Sequence, residues 1–192
     1  MKKIIPILKN PFSVIDEKKL FIAGVVSTIV GIFISYIVQI QMQILRLNTL
    51  DTPTITQVIF GNLIIISSLT IVFCILGKII NKKTRIIDIL NVVTIALVPL
   101  YISLFQNING FLTAETTKIE NAVKDGTIYN QSLPLLLICI TLIGLCFFVY
   151  YIYLLFIGFK TATNAKKAWQ YALFFILLIA VDLLTSGLIN SI

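Results

Sequence analysis

Charged residues are missing from five long stretches of this chain. None lies between Lys19 and Arg46, between Asp51 and Lys78, between Asp88 and Glu115, or between Asp125 and Lys160, and after Lys167 only Asp182 remains. A membrane-spanning helix needs about 20 mainly apolar residues at a rise of about 1.5 Å each. Every stretch is long enough. The pattern predicts an all-α, polytopic membrane helical bundle with five transmembrane helices, at residues 20–41, 55–80, 86–106, 133–159 and 168–192. Residues 1–19 form a short basic lead, residues 20–192 a single five-helix transmembrane domain, and residues 107–132 an external loop.

Composition agrees and excludes a soluble fold. The 192 residues are 58% hydrophobic and 12% charged, too little charge to cover a water-facing surface. A net charge of +7 raises the question of nucleic acid, but the placement of the charges answers it differently. Twelve basic residues fall in the lead and in the second and fourth connections, and three (Arg46, Lys118, Lys124) in the first and third. The positive-inside bias then sets the N-terminus in the cytoplasm and the C-terminus outside. The expected setting is the cell membrane, with the bilayer as first partner, other membrane proteins or a second copy as further ones, and no nucleic acid. The first span reads as an uncleaved anchor and not a signal peptide, since no small-residue cleavage site follows it. No acylation or prenylation motif is present. Cys74, Cys139 and Cys146 lie inside spans and imply no disulfide. With no histidine in the chain, neither a metal site nor a cofactor is expected.

The lead mixes Ile4, Ile5, Ile7, Leu8, Phe12, Val14 and Ile15 with lysines, broken by Pro6 and Pro11. It reads as a basic flank that sets topology, or as an amphipathic segment lying on an anionic leaflet. Asn10-Pro11-Phe12 is a turn signal. In the external loop, Thr113 can cap a short helix, with Glu115 in its first turn, Lys124 in its last and Gly126 as its stop. Ile119, Ala122 and Val123 would form its weak apolar face against the bundle.

Inside the spans, polar residues are few. Ala23, Ser27, Gly31 and Ser35 recur every four residues, a spacing that lets helix backbones approach closely. They predict a helix-packing face, within the chain or between two copies. Asp182 lies about 16 Å along the helix from Tyr171, near mid-membrane. An acid there costs about 2.5–3.5 kcal/mol on insertion scales, so it should face the bundle, with Thr185 and Ser186 on its own face. Three readings compete: a polar lock between helices, a proton or ion site, and a partner contact. No Lys, Arg or His inside a span can pair with it. In the third span, Asp88, Asn91 and Thr94 recur every three residues ahead of Pro99, which should kink the outer half. Arg85 and Asp88 read as a cytoplasmic ion pair. Alternatively, Asp88 and Asn91 line a vestibule. Asn91 and Thr94 can hydrogen-bond across helices, and could join Asp182 in a polar site. Trp169, Tyr171, Tyr150, Tyr151 and Tyr153 on one side, and Tyr36, Tyr101 and Tyr129 on the other, read as aromatic belts.

Enzyme chemistry has no foothold here. There is no nucleophile elbow, no phosphate-binding glycine loop, and no close carboxylate pair, so no catalytic residue is assigned. Three stretches point elsewhere. They are Ile7-Leu8-Lys9-Asn10-Pro11-Phe12-Ser13-Val14-Ile15, then Asp88-Ile89-Leu90-Asn91-Val92-Val93-Thr94 running to Val98-Pro99, then Tyr153-Leu154-Leu155-Phe156-Ile157-Gly158-Phe159-Lys160 with Asn164-Ala165-Lys166-Lys167-Ala168. Together with five spans they resemble the Yip family of multi-pass membrane proteins (Rab-GTPase-interacting in eukaryotes) in its short bacterial form. The resemblance implies a membrane scaffold, with no catalytic residue and no cofactor. Eukaryotic relatives carry a long cytoplasmic N-terminal region where this chain has about 19 residues, a departure that puts small-GTPase binding in doubt. The expected function is a non-enzymatic scaffold or adaptor that binds other membrane proteins, accessory to export, trafficking or resistance machinery. The alternative is a small proton- or ion-coupled transporter or channel subunit that uses Asp182.

Overall fold

The computed structural model describes residues 4–49, 53–126 and 135–190. Lys2, Lys3, Asp51, Tyr129 and the ends of the fourth and fifth predicted spans (133–134 and 191–192) lie outside the described residues, as does the loop over 127–132. Among the described residues five helical segments are long and apolar enough to cross a membrane, at Glu17–Ile37, Ile55–Ile80, Ile86–Lys124, Leu135–Thr163 and Ala168–Ile189. The five-span membrane bundle is therefore the fold.

The lead forms two short helices, α1 (Ile4–Lys9) and α2 (Pro11–Val14), with Pro11 at the first helical position where its missing N–H costs nothing. It does not trail as a bare flank. The Asn10 side-chain amide donates to Thr161 Oγ1 at 3.1 Å, and the Tyr150 and Tyr153 hydroxyls donate to the carbonyls of Leu8 and Lys9 at 2.9 and 2.8 Å.

The first span, α3 (Glu17–Ile37), buries only Leu20, Gly24, Gly31 and Ser35. It ends four residues before the predicted boundary. Val38 to Met42 leave the helix through Gln39, which has φ of +57°, and enter a hairpin. Strand β1 (Ile40–Met42) pairs antiparallel with β2 (Leu47–Thr49), with Ile40 opposite Thr49, Gln41 opposite Asn48 and Met42 opposite Leu47. Apolar and polar residues alternate over Val38-Gln39-Ile40-Gln41-Met42-Gln43-Ile44, a period of two that fits a strand and not a helix. Val38, Ile40, Met42 and Ile44 are all buried in the bundle core. Non-helical backbone at such a place is tolerated only where protein surrounds it and satisfies its polar groups. Here Asn107 Nδ2 donates to the Val38 carbonyl at 2.9 Å and Gln41 Nε2 to the Met42 carbonyl at 3.1 Å.

The second span, α4 (Ile55–Ile80), opens with a capping box in which Thr54 and Gln57 satisfy each other's backbone N–H. The third span is broken. α5 (Ile86–Ala96) gives way at Leu97 to α6 (Val98–Ser103), with Pro99 near the start of the new segment, and a 3-10 turn follows over Leu104–Gly110. The break follows from the hydrogen bond that Pro99 cannot donate. α5 and α6 pack against α3, α4 and α8, so this span is the centre of the bundle.

The external segment is helical, as α7 (Phe111–Lys124). Thr113 is not its cap. Gly110, at φ of +69°, precedes the helix, and Thr113 instead bonds Asn107 through its N–H and hydroxyl. Its inward residues include Leu112 and Ile119, while Val123 is 73% exposed. α8 (Leu135–Thr163) and α9 (Ala168–Asn190) complete the bundle. Between them Gln170 Oε1 accepts from the N–H groups of Lys166 and Lys167 and closes the turn. A cluster of rings locks α4, α8 and α9 together, with Phe73 and Phe174 stacked at 4.8 Å and Phe159 at 5.1 Å from Phe174. The aromatic-belt reading fails for two residues. Tyr151 and Tyr101 are buried in the core, and the Tyr101 hydroxyl donates to Asn62 Oδ1 at 3.1 Å.

Candidate functional site

Asp182 sits on the inward face of α9 with Val181 and Thr185, and is 4% exposed. It is not alone. The tight turn between β1 and β2, closed by a Gln43 N–H to Arg46 carbonyl bond of 2.9 Å, presents two donors to it. The Leu45 backbone N–H reaches Oδ1 at 3.0 Å, and Arg46 Nη2 reaches Oδ2 at 2.9 Å. Both carboxylate oxygens are thus satisfied by a segment more than 130 residues away in sequence. The expectation that no basic group can pair with Asp182 is corrected. Arg46, which the sequence places in a connection, enters the bundle because the alternating run before it folds back as a buried strand. Asp182 lies about 12 Å from the end of α9 at Asn190, at 1.5 Å per residue, so the hairpin tip reaches that far into the bundle.

The pair is asymmetric. The Asp182 side chain is 5% exposed and that of Arg46 48%. Charge-assisted bonds to a carboxylate are among the stronger ones in proteins, and this one fastens the hairpin to α9. Thr185 and Ser186 do not join it. Their hydroxyls donate to the carbonyls of Val181 and Leu183 on their own helix, at 2.8 and 2.9 Å. The Tyr151 hydroxyl, also in the core, has no hydrogen-bond partner among the described residues.

Asn91 and Thr94 belong to the other end of the bundle, where the lead docks. Asn91 Nδ2 donates to the Glu17 carbonyl at 3.3 Å, and the Thr94 hydroxyl to the Leu90 carbonyl at 2.9 Å. The structure therefore separates them from Asp182. Asn91 and Asp88 instead line a cleft of about 320 Å³ with Phe12, Glu17, Arg85 and Thr161. Arg85 grips Asp88 with two bonds, Nε to Oδ2 at 3.0 Å and Nη2 to Oδ1 at 2.7 Å, and also pairs with Glu17. It thereby joins α5 to the start of α3. The bonds to Asp88, then Glu17, raise the Arg85 pKa well above its ordinary value. The guanidinium stays charged at every accessible pH.

The small-residue face splits in register. Gly31 and Ser35 are buried and Ser27 is partly so, its hydroxyl donating to the Gly24 carbonyl at 2.9 Å, but Ala23 is exposed. Gly24 takes its place. A Cβ on Gly24 would collide with Thr94, and one on Gly31 with the Tyr101 ring. The seam thus fits α3 to α5 and α6 of the same chain.

The core-facing acid, its hairpin partner and the broken central span all fall between residues 46 and 182. The Yip1 domain family model matches residues 13–189. The chain belongs to the Yip1 family. The matched stretch takes in α3 to α8, nearly all of α9, and the part of the lead that holds Val14 and Ile15. Yip1 is not a known enzyme family. No curated protein and no solved structure matches this Yip1-domain chain. Among the described residues no group of three or more Cys, Asp or Glu is placed to hold a metal ion.

Proposed function

We propose that this Yip1-family protein is a non-enzymatic integral membrane scaffold or adaptor that binds other membrane proteins, accessory to export, trafficking or resistance machinery. The observation that supports this most is the closed state of the acid in its fifth span. Asp182 is bonded at both oxygens by Arg46 and the Leu45 N–H, which suits a lock between elements better than a carrier of ions. The glycine seams are occupied within the chain by Thr94 and Tyr101. Surfaces left for partners include the apolar outer faces of α3 (Ile22, Ile29, Phe33) and α8 (Leu136, Leu142, Val149), all more than half exposed. Family membership agrees with a protein that works within a membrane. The proposed setting is the cell membrane, N-terminus in and C-terminus out.

Photo-crosslinking from single positions in native membranes tests the reading. Adducts to one defined membrane protein, or to a second copy, are expected from Ile29 or Leu142. Ile75 of α4, also exposed, serves as the control. Lipid-only adducts at every position would overturn it.

One observation favours the second reading, a small proton- or ion-coupled transporter. Arg46 is 48% exposed and lines a cavity, so the ion pair can be reached from its arginine side. Flux into proteoliposomes that depends on pH and is lost in Asp182→Asn would favour transport. Identical flux in wild type and variant removes Asp182 from any such mechanism.

A further inference from the structure

We propose that the hairpin end of the bundle holds one phospholipid with an ammonium headgroup of the phosphatidylethanolamine class. Two cavities lie side by side beneath α7. One, of about 670 Å³, has a polar wall of Gln41, Asn48, Thr49, Gln57 and Glu120. The other, of about 500 Å³, is walled by Leu100, Ile119, Leu137, Leu145 and Phe148, with Arg46 and Gln106 as its polar residues of longest reach. Leu47, Leu112 and Thr116 line both. Each is of a size with ordinary small-molecule sites, which run from about 300 to 1,000 Å³.

The two compartments offer an apolar chamber with a guanidinium on its wall and, next to it, a hydrogen-bonding chamber with one carboxylate. An ethanolamine phospholipid has the matching parts: acyl chain, phosphate and primary ammonium. Arg46 stands beside Leu47, the residue common to both chambers. A guanidinium carries five N–H donors, and the contact with Asp182 engages one nitrogen, so others can meet a phosphate. Gln106 Nε2 has no partner among the described residues, which suits it to a lipid ester carbonyl. The Glu120 carboxylate suits a primary ammonium. Charge decides against the common alternatives. Asp182 already balances Arg46, and Glu120 adds a negative charge, so an anionic headgroup is disfavoured. A quaternary ammonium has no N–H to give Glu120. Thr141 and Leu145, on the wall of the apolar chamber, are themselves exposed on α8, so the chain can enter from the bilayer.

Native mass spectrometry of the full chain, delipidated in mild detergent and offered equal amounts of phosphatidylethanolamine, phosphatidylglycerol and phosphatidylcholine with matched acyl chains, tests this. The wild type should retain one phosphatidylethanolamine with a preference of about tenfold over either competitor. Glu120→Lys, at an exposed position of α7, should abolish that preference and turn it toward phosphatidylglycerol. Thr116→Trp, which fills the junction of the chambers, should remove the retained lipid. Equal retention of the three lipids, an unchanged ratio in Glu120→Lys, or undiminished retention in Thr116→Trp would each overturn the proposal.

Discussion

At Asp182 the two carboxylate oxygens do different work. Oδ1 takes a backbone N–H that would otherwise be stranded in the core, and Oδ2 takes a cation. Removing Arg46 leaves a buried charge uncompensated, the costly way to break such a pair. Arg46→Ala should therefore lower stability by about 3 kcal/mol, at the low end of the range for buried pairs because Arg46 is half in contact with solvent. Asp182→Asn keeps an acceptor for Leu45 and frees an arginine that can turn outward, so it should cost about half as much. Arg46→Met with Asp182→Asn, which removes both charges and keeps an acceptor for the Leu45 N–H, should recover most of the loss. Thermal unfolding of all four forms in one detergent ranks them, and an Arg46→Ala protein as stable as wild type would show that the pair does not hold the hairpin. A second expectation concerns Gly31, where a Cβ has no room against the buried Tyr101 ring. Gly31→Ala should cost about 1–3 kcal/mol through overpacking. At Gly144 a Cβ meets only the far end of Gln106, so Gly144→Ala should cost little. The burial of Asp182 was legible in the sequence, because hydrophobic length alone places it at depth. Its partner was not, because Arg46 lies in a connection by charge pattern and 136 residues away by number.

The helices were legible for a simple reason: each is a run of apolar residues longer than the bilayer core is thick, and only the ends moved. Elements shorter than such a run were hidden inside or beside it. The hairpin strands are three residues each and begin within what length alone assigns to the first span. The alternation from Val38 to Ile44 was the available signal, and the apolar content of the same run masked it. The lead was hidden differently. Its docking depends on α8, where Gly158 leaves space for Phe12, and a Cβ there would lie 2.7 Å from the ring. Phe12→Ala should release the lead while the bundle stays folded. Its docking energy should fall by about 2 kcal/mol, roughly half the cost of emptying a fully buried phenylalanine site, since Phe12 is only partly buried. Limited proteolysis with trypsin should then cut after Lys9 faster than in wild type, with the melting temperature little changed. Gly158→Leu also collides with Val92 of α5, so it should free the lead and lower the melting temperature together. Equal cleavage rates in wild type and Phe12→Ala would mean that the tyrosine and Asn10 bonds suffice.

The whole molecule has two chemically distinct ends, and they predict an orientation. Five antiparallel spans bring Lys9, Lys78, Lys82, Lys83, Arg85, Lys160, Lys166 and Lys167 to the end where the lead docks. The opposite end has Arg46, Lys118 and Lys124. Of these, Arg46 is held by Asp182 and Lys118 by Glu115 at 2.6 Å. Basic residues near short connections resist translocation, so the lysine-rich end should face the cytoplasm. Single cysteines in a cysteine-free background test this with a membrane-impermeant maleimide. Val123→Cys on α7 should label in intact cells, and Lys83→Cys only after permeabilisation. Both sites are exposed, so failure to label reports the barrier and not burial. The reverse pattern would invert the orientation, and labelling of both in intact cells would mean a mixed topology. Adding basic residues beside Val123 while removing Lys82, Lys83 and Arg85 should shift part of the population toward the inverted pattern. The shift should be incomplete, because the lead and the fourth connection still carry their lysines. A complete inversion would place the whole orienting signal in the second connection, against the spread of charge across three segments.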